Sequence, residues 1–146
     1  MGIGRGVVMA RTLNVSNGDK VRTEVLPRAM ESAPLVRRLV RGAVEAWELQ
    51  ELAPDAEVIT AELVANAVQH ARAAAMRVTV RRTGERAVQI AVFDRSRVLP
   101  FLKSPAPEEV GGRGLGIVDA LAHSWGVDRL PWGKRVWADL VALSAP

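Results

Sequence analysis

Glu62 and Asn66 stand four residues apart in the run Glu62-Leu63-Val64-Ala65-Asn66. On a helix that spacing puts both side chains on one face, one turn apart. An acid and an amide stacked in this way can hold a water and a magnesium ion. Beside an apolar stripe, either is also an ordinary boundary residue. Asp94 closes an alternating apolar segment. An acid at a strand end can cap or salt-bridge locally, or it can accept a hydrogen bond from an exocyclic amine. The third group is a backbone rather than a side chain. Gly111-Gly112-Arg113-Gly114-Leu115-Gly116 places four glycines in six positions and runs into an apolar, helix-like pattern. Glycine lets a ligand approach the main chain, and a helix start offers unpaired N–H groups with a partial positive charge, which together seat a phosphate. Taken alone, the same stretch reads equally as a mobile surface loop. His70 fits a helix C-terminus as a cap or dipole partner. With only His123 elsewhere and no cysteine, the sequence offers no zinc-type ligand set.

The elements that would carry these residues follow from periodicity. Residues 1–18 read as a flexible tail ahead of a single domain, 19–146. Lys20 to Arg28 alternates, with Val21, Thr23 and Val25 on one side, and is closed by Pro27, which predicts a first strand. Ser32 as N-cap and Pro34 in the first turn open a helix over 33–49. Its apolar stripe runs through Leu35, Val36, Leu39, Val40, Ala43, Val44 and Trp47. A second helix, 54–72, starts at Pro54 with Asp55 and Glu57 at its positive end. It buries Val58, Ile59, Leu63, Val64, Ala67, Val68 and Ala71. Strands over 76–82 and 87–93 are joined by the turn Thr83-Gly84-Glu85-Arg86. Arg97 to Val110, with three prolines and no period, reads as a covering loop. A helix over 114–122 and two strands, 123–130 and 134–143, complete the chain. The strands are joined at Pro131-Trp132-Gly133, with Trp125 and Trp137 expected in the core.

Composition narrows the classes. A chain of 146 residues with 49% apolar content is long enough for one real core. No run of 18 apolar residues suggests a membrane span, and a cytoplasmic location is expected. The net charge of +4 raises nucleic-acid binding. However, 17 of the 20 basic residues are arginines spread along the chain, and the four Trp and two Phe form no stacking platform on strands. Direct nucleic-acid binding is therefore not expected.

The order of these parts resembles the Bergerat-fold (GHKL) ATPases, and within them the small anti-sigma-factor serine/threonine kinases of actinobacterial type. Glu62 to Ala71 is similar to the N box, Val92-Phe93-Asp94-Arg95-Ser96 to the first glycine box, and Gly112 to Val118 to the second. Gly133 to Leu140 is similar to the last strand, so the resemblance spans about residues 20–143. It implies an α/β (α+β) two-layer sandwich: a mixed, mainly antiparallel sheet covered on one face by three helices. It implies ATP and Mg²⁺ as cofactors, with Asn66 coordinating the metal, Glu62 as general base and Asp94 accepting the adenine amino group. Gly112, Arg113, Gly114, Leu115 and Gly116 would surround the phosphates, with Arg113 at the γ-phosphate. Ser96 stands where the first glycine box has glycine, and Arg135 where the last strand often has threonine. The implied activity is protein serine/threonine phosphorylation of a small antagonist, with a sigma factor as second partner and a possible homodimer. The alternative is a nucleotide-binding interaction module without catalysis.

Overall fold

A computed structural model of the chain describes residues 20–70, 74–95 and 112–143. The tail 1–18, the loop 97–110 and Ser96 lie outside the described residues. Five strands form one sheet: β1 (Val21–Pro27), β2 (Ala75–Gly84), β3 (Ala87–Asp94), β4 (Ser124–Leu130) and β5 (Gly133–Val141). Their order is β1-β2-β3-β5-β4, and every pair is antiparallel rather than mixed. Among the described residues three helices lie in the second layer: α1 (Ala33–Ala46), α2 (Ala53–His70) and α3 (Gly112–Leu121). Among the described residues two helices pass between β1 and β2 and one between β3 and β4, and all three pack into one core with the sheet.

Strand alternation explains the core. Met76, Val78 and Val80 of β2, Val88, Ile90 and Val92 of β3, and Val136, Ala138 and Leu140 of β5 meet Val36, Val40, Ile59, Leu63 and Val64 of the helices. Each fully buried aliphatic side chain contributes roughly 1.5–3 kcal/mol. Strand β1 keeps the alternation read from the sequence, and the structure decides which side faces the helices. Leu26 is the core residue, so Arg22 shares the helix side, and a guanidinium nitrogen of Arg22 lies near Gly42 of α1. Thr23 is buried on the opposite face.

That opposite face carries a cationic and aromatic row. The Arg77 guanidinium stacks 4.2 Å above the Phe93 ring, and Arg135 lies 5.9 Å from Phe93 and 5.7 Å from Trp137. Trp137 therefore sits on this face, packed over Gly126, and not in the core between the layers. Its register partner settles the matter: Gly126 faces it across β4, and the small residue leaves room for the indole. Trp125 does turn toward the helices, packing on the core and donating to Asp119 Oδ1 of α3 at 2.9 Å.

Helix α1 ends three residues before the expected Leu49. The Leu49 N–H donates to the Val44 carbonyl at 2.7 Å, and Glu48 adopts φ 59°. This is the left-handed helix stop usually filled by glycine, with the following apolar residue, here Leu49, buried beneath it. At the other end Ser32 is not a side-chain cap. Its hydroxyl donates to the Pro27 carbonyl at 2.7 Å, and a 3-10 turn, Met30–Ser32, leads into the helix.

Candidate functional site

Strand β3 delivers Asp94 to the sheet end on the helix-covered face, in phase with Val92 and Ile90. The side chain is 1% exposed, and neither carboxylate oxygen has a hydrogen-bond partner. Burial pushes its pKa up to about 6, against the attraction of Lys134 and Arg28. An unpaired carboxylate in such a place is costly for folding. It is therefore a candidate acceptor for a ligand's donor.

Two cations stand by it. Lys134 is the direct register partner of Asp94 across β5. Two residues before buried Val136, it shares the helix-side face. Its pKa is lowered by burial, with Asp94 opposing that shift. Arg28, just past β1, donates to the Val68 carbonyl in the last turns of α2 at 2.8 Å. The β3–β5 contact is tight here. A Cβ on Gly133 would lie 2.0 Å from the Asp94 carbonyl oxygen, so only glycine allows the main chains to meet.

The pairing corrects the expected place of Arg135. It is opposite Phe93, on the sheet face away from the helices. There it bonds the Asp128 carboxylate through one guanidinium nitrogen and Gln89 Oε1 at 2.6 Å through the other. Strand phase puts Lys134, not Arg135, on the Asp94 side. Sequence reasoning passed over Lys134 and Arg28. The alternation of Lys134, Val136 and Ala138 was the available signal for the first.

Chain direction brings the remaining residues to the same end. Met76 pairs with Asp94, so α2, which precedes β2, finishes near Asp94. Strand β4 starts at Ser124 opposite Asp139 and returns to Leu130 opposite Gly133. Helix α3 accordingly runs away from the Asp94 end, with its N-terminus there. Helices α2 and α3 pack together, and α2 packs on β3. Asn66, one turn from the end of α2, and Glu62, a turn earlier, are both half-buried beside the stripe Ile59, Leu63, Ala67. Gly112, Arg113, Gly114, Leu115 and Gly116 form the first turns of α3 instead of a loop before it. Gly112, Gly114 and Gly116 are helical, so they do not serve as left-handed turns. A side chain at Gly116 would meet open space, and Leu115 packs on the core. The ten-residue helix thus leaves its first N–H groups at the Asp94 end of the molecule.

This donor set fits a purine nucleotide with a hard cation: a buried acceptor for an amine, an amide oxygen, an acid and a helix N-terminus. Among the described residues there is no cluster of three or more His, Cys, Asp or Glu able to hold a metal by itself. A metal shared with phosphates needs only one or two protein oxygens. Among the described residues no helix is long and apolar enough to cross a membrane.

Comparison with known proteins agrees with this fold. The profile of the histidine kinase-like ATPase domain matches residues 26–140. The chain is similar in fold to the structure of the RsbU and RsbW domains of Rv1364c from Mycobacterium tuberculosis, with TM-score 0.64 and 21% identity, covering 86% of this chain and 33% of that one. A histidine kinase domain from the Erythrobacter litoralis EL346 blue-light activated histidine kinase aligns at TM-score 0.48 and 20% identity, over 80% of this chain and 61% of that one. The chain thus spans about a third and about three fifths of these two structures. No curated protein matches the sequence. With four-fifths of its length inside the profile and an open antiparallel sheet backed by three helices, this chain belongs to the histidine kinase-like ATPase domain family, the Bergerat-fold (GHKL) ATPases.

Proposed function

We propose that the domain binds ATP with Mg²⁺ and acts as an anti-sigma-factor-like protein serine/threonine kinase on a small antagonist protein. The observation that carries the nucleotide reading is Asp94, buried with both acceptor oxygens unsatisfied at the sheet end where α2 finishes and α3 starts. Its carboxylate accepts from the adenine 6-amino group. The Asn66 side-chain oxygen would hold the metal and the amides of the first turn of α3 would take phosphate oxygens, and the resemblance assigns the γ-phosphate to Arg113. Bound ATP supplies the phosphoryl group, and the metal neutralises its charge. Glu62 would take the proton from the attacking hydroxyl as that oxygen bonds to the γ-phosphorus and the bond from the γ-phosphorus to the β–γ bridging oxygen breaks, with ADP as the leaving group. Because transfer of this kind is mostly positioning and charge neutralisation, the domain needs no further chemistry of its own. A sigma factor as second partner is supported by likeness to a structure that contains an RsbW domain. The placement of Arg135 away from Asp94 removes one ground for a purely non-catalytic module.

The test is calorimetry of ATP with and without Mg²⁺ on wild type and Asn66→Ala, followed by phosphotransfer to candidate antagonists with Glu62→Gln. Magnesium-dependent binding lost in Asn66→Ala is expected. Glu62→Gln should retain nucleotide and lose about 10²–10⁴-fold in transfer rate. Undiminished transfer by Glu62→Gln would refute the base assignment.

A further inference from the structure

Asp94 is not alone at the base end of the site. Its register partner across β5 is Lys134, on the same sheet face, half-buried and not hydrogen-bonded to either Asp94 oxygen. Directly opposed residues of an antiparallel pair hold their Cβ atoms about 4.5–5.5 Å apart. The two side chains thus leave the same sheet face as neighbours, close enough to interact electrostatically, while the carboxylate accepts no hydrogen bond from the ammonium. An ionised carboxylate only accepts hydrogen bonds, and an ammonium only donates them. Side by side, they form an acceptor next to a donor. The Watson–Crick edge of adenine presents the matching order, with the 6-amino donor beside the N1 acceptor. In the same orientation, a 6-oxo purine would set its oxygen against Asp94 and its N1–H against Lys134.

We propose that Lys134 is a base-reading residue that donates to N1 of adenine while Asp94 accepts from the 6-amino group; this rests on the nucleotide site proposed above. The alternative, in which Lys134 only offsets the charge of Asp94, shares its stability consequences but not its ligand chemistry. The remaining cation near Asp94, Arg28, is held by the Val68 carbonyl, at the end of α2, and comes from the opposite side of the carboxylate in the sheet order. Burial already lowers the pKa of Lys134, so the ammonium gains from an acceptor brought to it.

The experiment is calorimetry of wild type and Lys134→Met with ATP and with 1-deaza-ATP, which keeps the 6-amino group and replaces N1 by C–H. Hydrogen bonds to charged groups contribute enough that wild type should bind 1-deaza-ATP about ten- to a hundredfold more weakly than ATP. Lys134→Met, checked for folding by thermal melting, should bind the two ligands alike. Equal affinity of wild type for both ligands overturns the proposal without any variant. So does a Lys134→Met protein that still discriminates as wild type does. Failure of wild type to bind ATP at all would instead remove the nucleotide site, and the proposal with it, and that result is distinct from binding without discrimination.

Discussion

Replacing Asp94 by asparagine should stabilise the nucleotide-free protein while destroying its affinity for nucleotide. The carboxyl is raised from 3.8 to about 6, chiefly by burial. A shift of about two units corresponds to about 3 kcal/mol, at about 1.4 kcal/mol per unit. With 1% exposure, solvent screening takes little from that figure. The sign follows from proton binding. The folded state holds the proton more tightly than the unfolded one, so stability is lost as pH rises through the window from 3.8 to about 6. Below that window Asp94 is neutral in both states and imposes no ionisation penalty. Above it the penalty is complete. Asp94→Asn never ionises, so its advantage over wild type should be absent near pH 4 and reach up to about 3 kcal/mol at pH 8, less the cost of a buried amide. Urea unfolding of both proteins from pH 4 to 8 reads this directly, and calorimetry at pH 8 reads the loss of ATP binding. The reasoning is refuted if Asp94→Asn melts with or below wild type at pH 8, or if its gain is as large at pH 4 as at pH 8.

Gly133→Ala is expected to cost about 3 kcal/mol or more in urea unfolding, because its Cβ would sit 2.0 Å from the Asp94 carbonyl oxygen and force β3 and β5 apart. Glu48→Gly should raise stability by about 0.5–1 kcal/mol, since Glu48 holds φ 59° with a side chain that disfavours it; an unchanged unfolding midpoint would count against that. Arg135→Ala should lose about 1–2 kcal/mol by giving up its bonds to Asp128 and Gln89, yet leave ATP affinity as in wild type when titrated calorimetrically.

Periodicity in the sequence foretold the elements well, since helix stripes such as Ile59, Leu63, Val64 and strand alternation such as Val88, Ile90, Val92 are the physical cause of those elements. What it could not supply was phase between segments distant in the chain. Whether Lys134 or Arg135 stands beside Asp94 depends on the β3–β5 pairing, and a slip of one residue reverses every side chain. The same limit misplaced Trp137 and left the inward side of β1 open. Helix ends were missed for a local reason: the stop at Glu48 uses a non-glycine residue with positive φ, which no sequence signal marks. Glu62, Asn66 and Asp94 could be singled out because acids and amides beside apolar stripes stand out, and the structure adds the burial of Asp94, while their roles remain proposals. Arg28 was not, being one arginine among 17.

The strand order also sets a timetable. The interior strand β5, between β3 and β4, is made after the other four described strands, and β3 pairs with it along eight residue positions from Ala87–Val141 to Asp94–Lys134. Until β5 emerges during synthesis, β1, β2 and β3 can form only a half-sheet whose β3 margin offers open main-chain groups, a template for mispairing. Asp94 has no Lys134 across from it in that half-sheet, and β4 has no neighbour at all. A chain stopped before Gly133 should therefore present an adhesive, incomplete sheet rather than a smaller working domain, and the base pocket and the last hairpin should come into being in one step.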